Sequence, residues 1–288
     1  MIRVPEHQLT GRGSSSRMED WSEAALDCNK EPFVAPPMWR SLTAYAVNVA
    51  GGLVGAVDSK SRLTVVRALH DAVEAELNYV RCLDAPGGCS LRFRGLTFEG
   101  APTAGDWRQD HFREFHDASR AAQALRLTDE LAEFESARTS SFGSRGAVLR
   151  AWSTAFQCVF GEPDPGHEAT ENLRRLASAH LSGDPRTREL MYAHSMLIDA
   201  TLGAVDVEVF NGAVAAALAE HRAVNCCDEA ATNDHRGGLS LEVLAICCMA
   251  HDRGVSVEVE STYIPRWIIE KDWPPGATLP LSSDAGAP

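Results

Sequence analysis

In the stretch RLTVVRALHDAVEAELNYVRCL, Leu63, Val66, Leu69, Val73, Leu77 and Val80 recur at intervals of three or four residues. That spacing matches a helix of about 3.6 residues per turn and lays the six side chains along one stripe. A stripe this long is hidden only by packing against other elements, so the chain must build a core from several helices. Most of the remaining sequence repeats the theme. MWRSLTAYAVNVAGGLVGAVDS, GDWRQDHFREFHDASRAAQAL, LTDELAEFESA, GAVLRAWSTAFQCVFG, EATENLRRLASAHLSG, RTRELMYAHSMLIDATLGAV, DVEVFNGAVAAALAEHRAVN and GLSLEVLAICCMAHDRG are helix-like runs divided by short Gly, Pro or Ser breaks. Ser59 or Ser61 is placed to cap the striped helix, and Gly254 to end the last long one. Gly51, Gly52 and Gly55 either weaken their helix or admit a close neighbour.

Two segments read differently. SLRFRGLTFEG alternates Leu91 and Phe93 with Arg92 and Arg94, then turns at a glycine, which predicts a small hairpin that must lean on helices. VSVEVES alternates Val255, Val257 and Val259 with Ser256, Glu258 and Glu260, which predicts a short strand. The expected architecture is therefore mainly α, a multi-helical array or bundle of antiparallel helix pairs. It carries a small β-hairpin and a short C-terminal strand. Residues 1–20, rich in Gly, Ser and Arg, are expected to be flexible, residues 21–273 to form one mostly helical domain, and residues 274–288 to form a flexible tail.

Charge and cysteine placement narrow the function. The net charge is -13 and the pI about 5.2, which disfavours direct nucleic-acid binding and suits a basic partner. No apolar run has the ~18 residues a membrane span needs, and the N-terminal residues lack the apolar stretch of a signal peptide. The expectation is a soluble, cytoplasmic chain with no membrane partner. Of eight cysteines, Cys28, Cys82, Cys89 and Cys158 are isolated, while Cys226–Cys227 and Cys247–Cys248 are adjacent pairs. Metal sites favour the spacing C-x-x-C, so buried reduced thiols are expected, with no metal and no cofactor.

The motifs of phosphate-binding loops, dinucleotide folds, zinc proteases and serine hydrolases are missing. The densest titratable cluster is DHFREFHD. In a helix His111 and Glu114 share a face, with His116 and Asp117 beside it. A carboxylate near an imidazole is the raw material of general acid–base chemistry, and His251 adds a further imidazole beside Asp252. The same cluster equally describes a solvated helix face laced with ion pairs. In the C-terminal stretch VSVEVESTYIPRWIIE, the valines suit a core. Asp252, Glu258, Glu260, Tyr263 and Trp267 suit an interface in which acids flank aromatic anchors.

LSLEVLAICCMAHDRGVSVEVESTYIPRWII resembles the C-terminal signature of the immunity protein 49 family. The matching positions are Leu244, Ala245, Cys247, Ala250, Asp252, Gly254, Val259, Glu260, Ser261, Tyr263, Ile264 and Pro265. FNGAVAAALAEHRAV, with His221 near its end, and the hairpin followed by a long helix also resemble that family. The resemblance implies a mostly helical cytoplasmic antidote of a bacterial polymorphic toxin system. Such a protein binds a cognate, basic toxin and neutralises it without catalysis. Two other readings stay open on the residues. One is an enzyme recruited from this scaffold, with His111, Glu114, His116, Asp117 and His251 acting on a small molecule. The other is a scaffold of helical-repeat type. The residues leave the oligomeric state open.

Overall fold

The computed structural model describes residues 2–3, 36–55, 58–84, 88–101, 112–137, 171–172, 174–175, 185–201, 206–226, 235–274 and 277. The helix-like runs at 146–161 and 168–183, along with Cys28, Cys158 and His111, lie outside these apart from the four residues at 171–175. The segment expected as a C-terminal tail lies outside them except at 274 and 277. The chain divides into two compact units. The N-terminal unit comprises Thr10–Arg138 with Trp273–Pro288, and the C-terminal unit comprises Thr139–Asp272 with Met1–Leu9.

The N-terminal unit holds α1 (Pro36–Leu53), α2 (Ser59–Asp84), β2 (Cys89–Phe93), β3 (Leu96–Ala101), α3 (Phe112–Leu125) and α4 (Thr128–Ser136). The striped helix is α2. Val66, Leu69, Val73, Leu77 and Val80 are all buried, and Leu63 is half-buried. A second row, Val65, Ala68, Ala72, Ala75, Tyr79 and Cys82, is buried as well. So α2 lies inside its unit, packed by α1, α3 and the hairpin. Its start is capped by Asp58, whose carboxylate accepts from the Ser61 amide at 2.9 Å and the Ser61 hydroxyl at 2.6 Å. The cap is thus one residue upstream of Ser59 and three upstream of Ser61, the serines that the sequence offered for it. Gly55 gives no close approach either: a Cβ there would meet nothing within 4 Å.

The hairpin leans on α2 as expected. Leu91 and Phe93 enter a cluster with Trp39, Ala75, Tyr79 and Cys82, and the Trp39 and Phe93 rings lie 5.4 Å apart. Its two-residue turn, Arg94–Gly95, has φ of 50° and 79°. Arginine in that conformation costs about 1 kcal/mol, and here Arg94 is tied into place. Its Nε donates to Asp71 at 3.0 Å and its amide to Glu74 at 2.8 Å. Asn78 of α2 acts on the strand backbone itself. Its amide donates to the Arg92 carbonyl at 2.6 Å, and its carbonyl accepts from the Arg92 N–H at 3.1 Å. A strand edge is covered by a helix side chain instead of another strand.

The C-terminal unit holds β1 (Ile2–Arg3), α5 (Pro185–Thr201), α6 (Val207–Asn225), a 3-10 turn (His235–Gly238), α7 (Leu241–Asp252), β4 (Val259–Glu260) and α8 (Arg266–Ile269). Ten consecutive residues of α7, Leu241 to Ala250, are buried. Such a helix is apolar all round because it forms the centre of its unit. Cys247 and Cys248, both fully buried, act there as small apolar side chains. Ile2 and Arg3 fall in the stretch whose composition reads as flexible, yet they form a strand parallel to β4. The C-terminal strand is shorter than VSVEVES suggests, since only Val259 and Glu260 have a ladder partner. The molecule is mainly α, with two small strand pairs. No helix among the described residues is long and apolar enough to cross a membrane.

Candidate functional site

The C-terminal segment is held in shape from three directions. Asp206 caps α6 by accepting from the amides of Glu208 and Val209. That fixes the first turn, and Asn211 follows at the start of the second. Asn211 is 3% exposed. Its amide donates to the Ser256 carbonyl at 2.9 Å and to the Val207 carbonyl at 2.8 Å. Its carbonyl accepts from the Glu258 N–H at 2.7 Å. From the other side, α7 ends in a Schellman turn. Gly254, at φ 83°, donates to His251, and Val255 donates to Ala250, both at 2.9 Å. The chain therefore leaves α7 reversed and extended, with Ser256 and Glu258 bonded to Asn211. The Ile2 N–H then bonds the Glu258 carbonyl at 3.2 Å.

Beyond β4 the chain folds back over the core. The Ser240 N–H donates to the Tyr263 carbonyl at 3.0 Å. The Tyr263 ring meets the edge of His221 at 5.1 Å, and burial, with Cys226 beside the phenol, pushes that phenol's pKa up. His221 Nε2 lies 3.0 Å from the Gly237 carbonyl, so that nitrogen carries the proton. Tyr263 is 0% and Trp267 9% exposed. These two rings, read in the sequence as interface anchors, are instead core residues. Pro265 ends the extended stretch, and α8 buries Trp267, Ile268 and Ile269.

The acids remain outside. Asp252 and Glu258 are exposed and Glu260 is half-buried. They do not form a purely acidic surface. Asp252 lies 3.7 Å from His251 Nδ1 and 3.6 Å from Lys271 Nζ. Arg266 bonds Glu270 at 2.7 Å, and Glu260 adds to the field that keeps its guanidinium protonated. A groove of about 290 Å³ is lined by Val255, Ser256, Val257, Val259, Arg266, Ile269 and Glu270, together with His251 and Gly254.

The histidine cluster belongs to the N-terminal unit and is built differently. His111 lies outside the described residues. Glu114 is buried on α3 and faces Arg40 of α1 across 3.4 Å. His116 Nδ1 is 4.0 Å from Asp117, which lies 3.9 Å from Arg113. The Glu114–Arg40 contact ties α3 to α1, whereas Arg113 and Asp117 pair within α3, one turn apart. His251, the remaining candidate for catalysis, is exposed and belongs to the other unit. No group of three or more His, Cys, Asp or Glu among the described residues is placed to hold a metal.

Sequence reasoning passed over Asn211, the residue that shapes this face. The available signal was an asparagine, a poor helix former, one turn into an otherwise apolar run, FNGAVAAAL. His221, marked in the sequence only by the stretch that resembles the family, sits 3.0 Å from the Gly237 carbonyl.

Comparison with curated proteins gives no match, and comparison with solved structures gives none. The family described as immunity protein 49 matches residues 114–268. The match opens inside α3 and closes inside α8, so it leaves the hairpin upstream and takes in Asn211, all of α7 and the Tyr263 fold-back. It spans more than half of the 288 residues, and the chain belongs to the immunity protein 49 family.

Proposed function

We propose that this protein is an antidote: it binds a toxin made by the same cell and blocks it by occupancy, without catalysis. The observation that carries the proposal is the family match over residues 114–268. An immunity family implies a toxin as partner in general, and the chain's own chemistry supports the finer reading. A net charge of -13 favours fast encounter with a basic protein. Toxin domains that attack nucleic acid carry basic surfaces, so an acidic antidote competes for the surface that phosphates would occupy. The binding face we assign is the C-terminal one, with Asp252, Glu258, Glu260 and Glu270 as its carboxylates. Tyr263 and Trp267 hold that face from behind.

The experiment is co-expression of the toxin encoded beside this chain, with growth and binding as readouts. Rescue of growth together with a stable complex supports the proposal. A second test reverses Glu258 and Glu260 to lysine in one protein. The variant should bind more weakly and associate more slowly, with the difference shrinking as salt rises. Binding equal to the unmodified protein would remove these two carboxylates from the interface.

A further inference from the structure

Six residues separate Cys82 from Cys89 in the sequence, and the fold closes that gap. Cys82 stands in the last turn of α2, and Cys89 is the first residue of β2. Their sulfurs lie 3.9 Å apart, and both are free thiols. A disulfide holds its sulfurs at ~2.05 Å, so joining this pair takes a movement of about 2 Å. The backbone around Cys89 can supply it. Gly88, just before it, has φ 97°, which glycine adopts without a Cβ clash. An irregularity in the hairpin register separates Cys89 from the regular ladder of Leu91, Arg92 and Phe93. Cys82 is the fixed partner, packed in the cluster with Trp39, Ala75, Tyr79, Leu91 and Phe93.

Exposure divides the roles of the two thiols. Cys89 is half-buried, so a small dissolved oxidant reaches its sulfur, whereas Cys82 is 1% exposed. Burial, with Cys89 beside it, also pushes the Cys82 thiol up to about 12, so Cys82 keeps its proton and does not open a reaction. Cys247 and Cys248 show the contrast: each has a thiol neighbour in the chain, but both are fully buried. We propose that Cys82 and Cys89 are a redox modification site, at which a peroxide forms a reversible disulfide that clamps the start of the hairpin to the end of α2. The site lies upstream of residues 114–268, so it is independent of the family match and of the antidote reading.

The chemistry balances in two steps. The Cys89 sulfur attacks the O–O bond of hydrogen peroxide, giving the Cys89 sulfenic acid and one water. Sulfur loses two electrons and the peroxide gains them. The Cys82 sulfur then attacks the Cys89 sulfur. The S–S bond forms, the S–O bond breaks, and the departing hydroxide leaves as a second water with the Cys82 proton. That thiol therefore need not ionise beforehand. A dithiol reductant reopens the bond by thiol–disulfide exchange. The clamp adds to the hold that Asn78 of α2 already has on the Arg92 backbone.

Peptide mass after oxidation tests the site. Trypsin cleaves after Arg81 and Arg92, so both cysteines leave in one peptide, CLDAPGGCSLR, which holds no other. The reduced full-length protein is treated with stoichiometric hydrogen peroxide while folded, and its remaining thiols are then alkylated in urea. The peptide should lose about 2 Da, two hydrogens, take up no alkylating agent, and regain both thiols with dithiothreitol. In Cys82→Ser, oxidation should halt at the Cys89 sulfenic acid, which dimedone traps. In Cys89→Ser, Cys82 should remain a thiol at the same peroxide dose. A peptide that keeps both thiols overturns the site. So does sulfinic acid at Cys89 with Cys82 still free, or a disulfide from either residue to another cysteine. If Cys82→Ser does not fold, the peptide mass from the unmodified protein still decides.

Discussion

Asn211 is the point where the account is most exposed to measurement. Its side chain makes two long-range hydrogen bonds, to Ser256 and Glu258, and one local bond, to Val207. Replacing it by alanine removes all three. Each is worth about 0.5–1.5 kcal/mol net, and a donor or acceptor left dry costs more. Ser256 and Glu258 are themselves exposed, so water reaches their freed backbone groups and the cost stays near the lower end. The expected loss for Asn211→Ala is therefore about 2 kcal/mol, read by urea denaturation. Asn211→Asp sharpens the test. It keeps the acceptor for the Glu258 N–H but aims a carboxylate at the Ser256 and Val207 carbonyl oxygens. Burial and those oxygens raise the folded carboxyl pKa above its unfolded value. A raised folded pKa favours stability below the unfolded value and loses it as pH rises through the folded value. Asn211→Asp should thus be less stable than Asn211→Ala at pH 8 and regain ground by pH 5. If the alanine variant is as stable as the unmodified protein, or the aspartate variant shows no pH dependence, Asn211 does not hold this strand.

Three further outcomes follow from the packing. Gly237→Ala places a Cβ 2.8 Å from the Asn225 Cβ, an atom fixed to its helix, and should cost about 1–3 kcal/mol in urea denaturation. Asp71→Asn breaks the ion pair that holds the Arg94 turn, and since both side chains are partly exposed the loss should be about 2 kcal/mol. Burial, with Cys89 beside it, pushes the Cys82 thiol up from 9.0 to about 12. The unfolded thiol ionises first, so stability should fall as pH rises from 9 towards 12, by at most about 1.4 kcal/mol per unit. Cys82→Ala should flatten that slope, and in the folded unmodified protein Cys82 should resist alkylation at pH 8.

Periodicity made the helices legible. The α2 stripe, the apolar α7 and the hairpin are all visible in the sequence because burial writes a pattern into side-chain chemistry. Polar residues inside that pattern are harder to read. Asn78 and Asn211 look like weak helix formers, and only the folded chain shows each bonding an extended backbone, 14 and 47 positions away. Tyr263 and Trp267 look like surface anchors because acids surround them in sequence. In the fold the acids stay outside, while Tyr263 in the turn after β4 and Trp267 on α8 fold back over the core. Ile2 and Arg3 gave no signal, because pairing with residue 259 is a long-range event that two residues cannot announce. Glu114, His116 and Asp117 read as either catalytic or structural; Arg113 beside Asp117 is visible at i,i+4, and Arg40 facing Glu114 is the part no local pattern supplies.

The most direct test is a growth assay in cells expressing the toxin gene that neighbours this chain, with and without the chain, followed by a binding measurement on the purified pair. The account expects the toxin alone to stop growth, co-expression to restore it, and a Kd of order 10⁻⁹ M or tighter, with no turnover of either protein. A neighbour that is harmless alone, or a toxin that kills whether or not this chain is present, would contradict it.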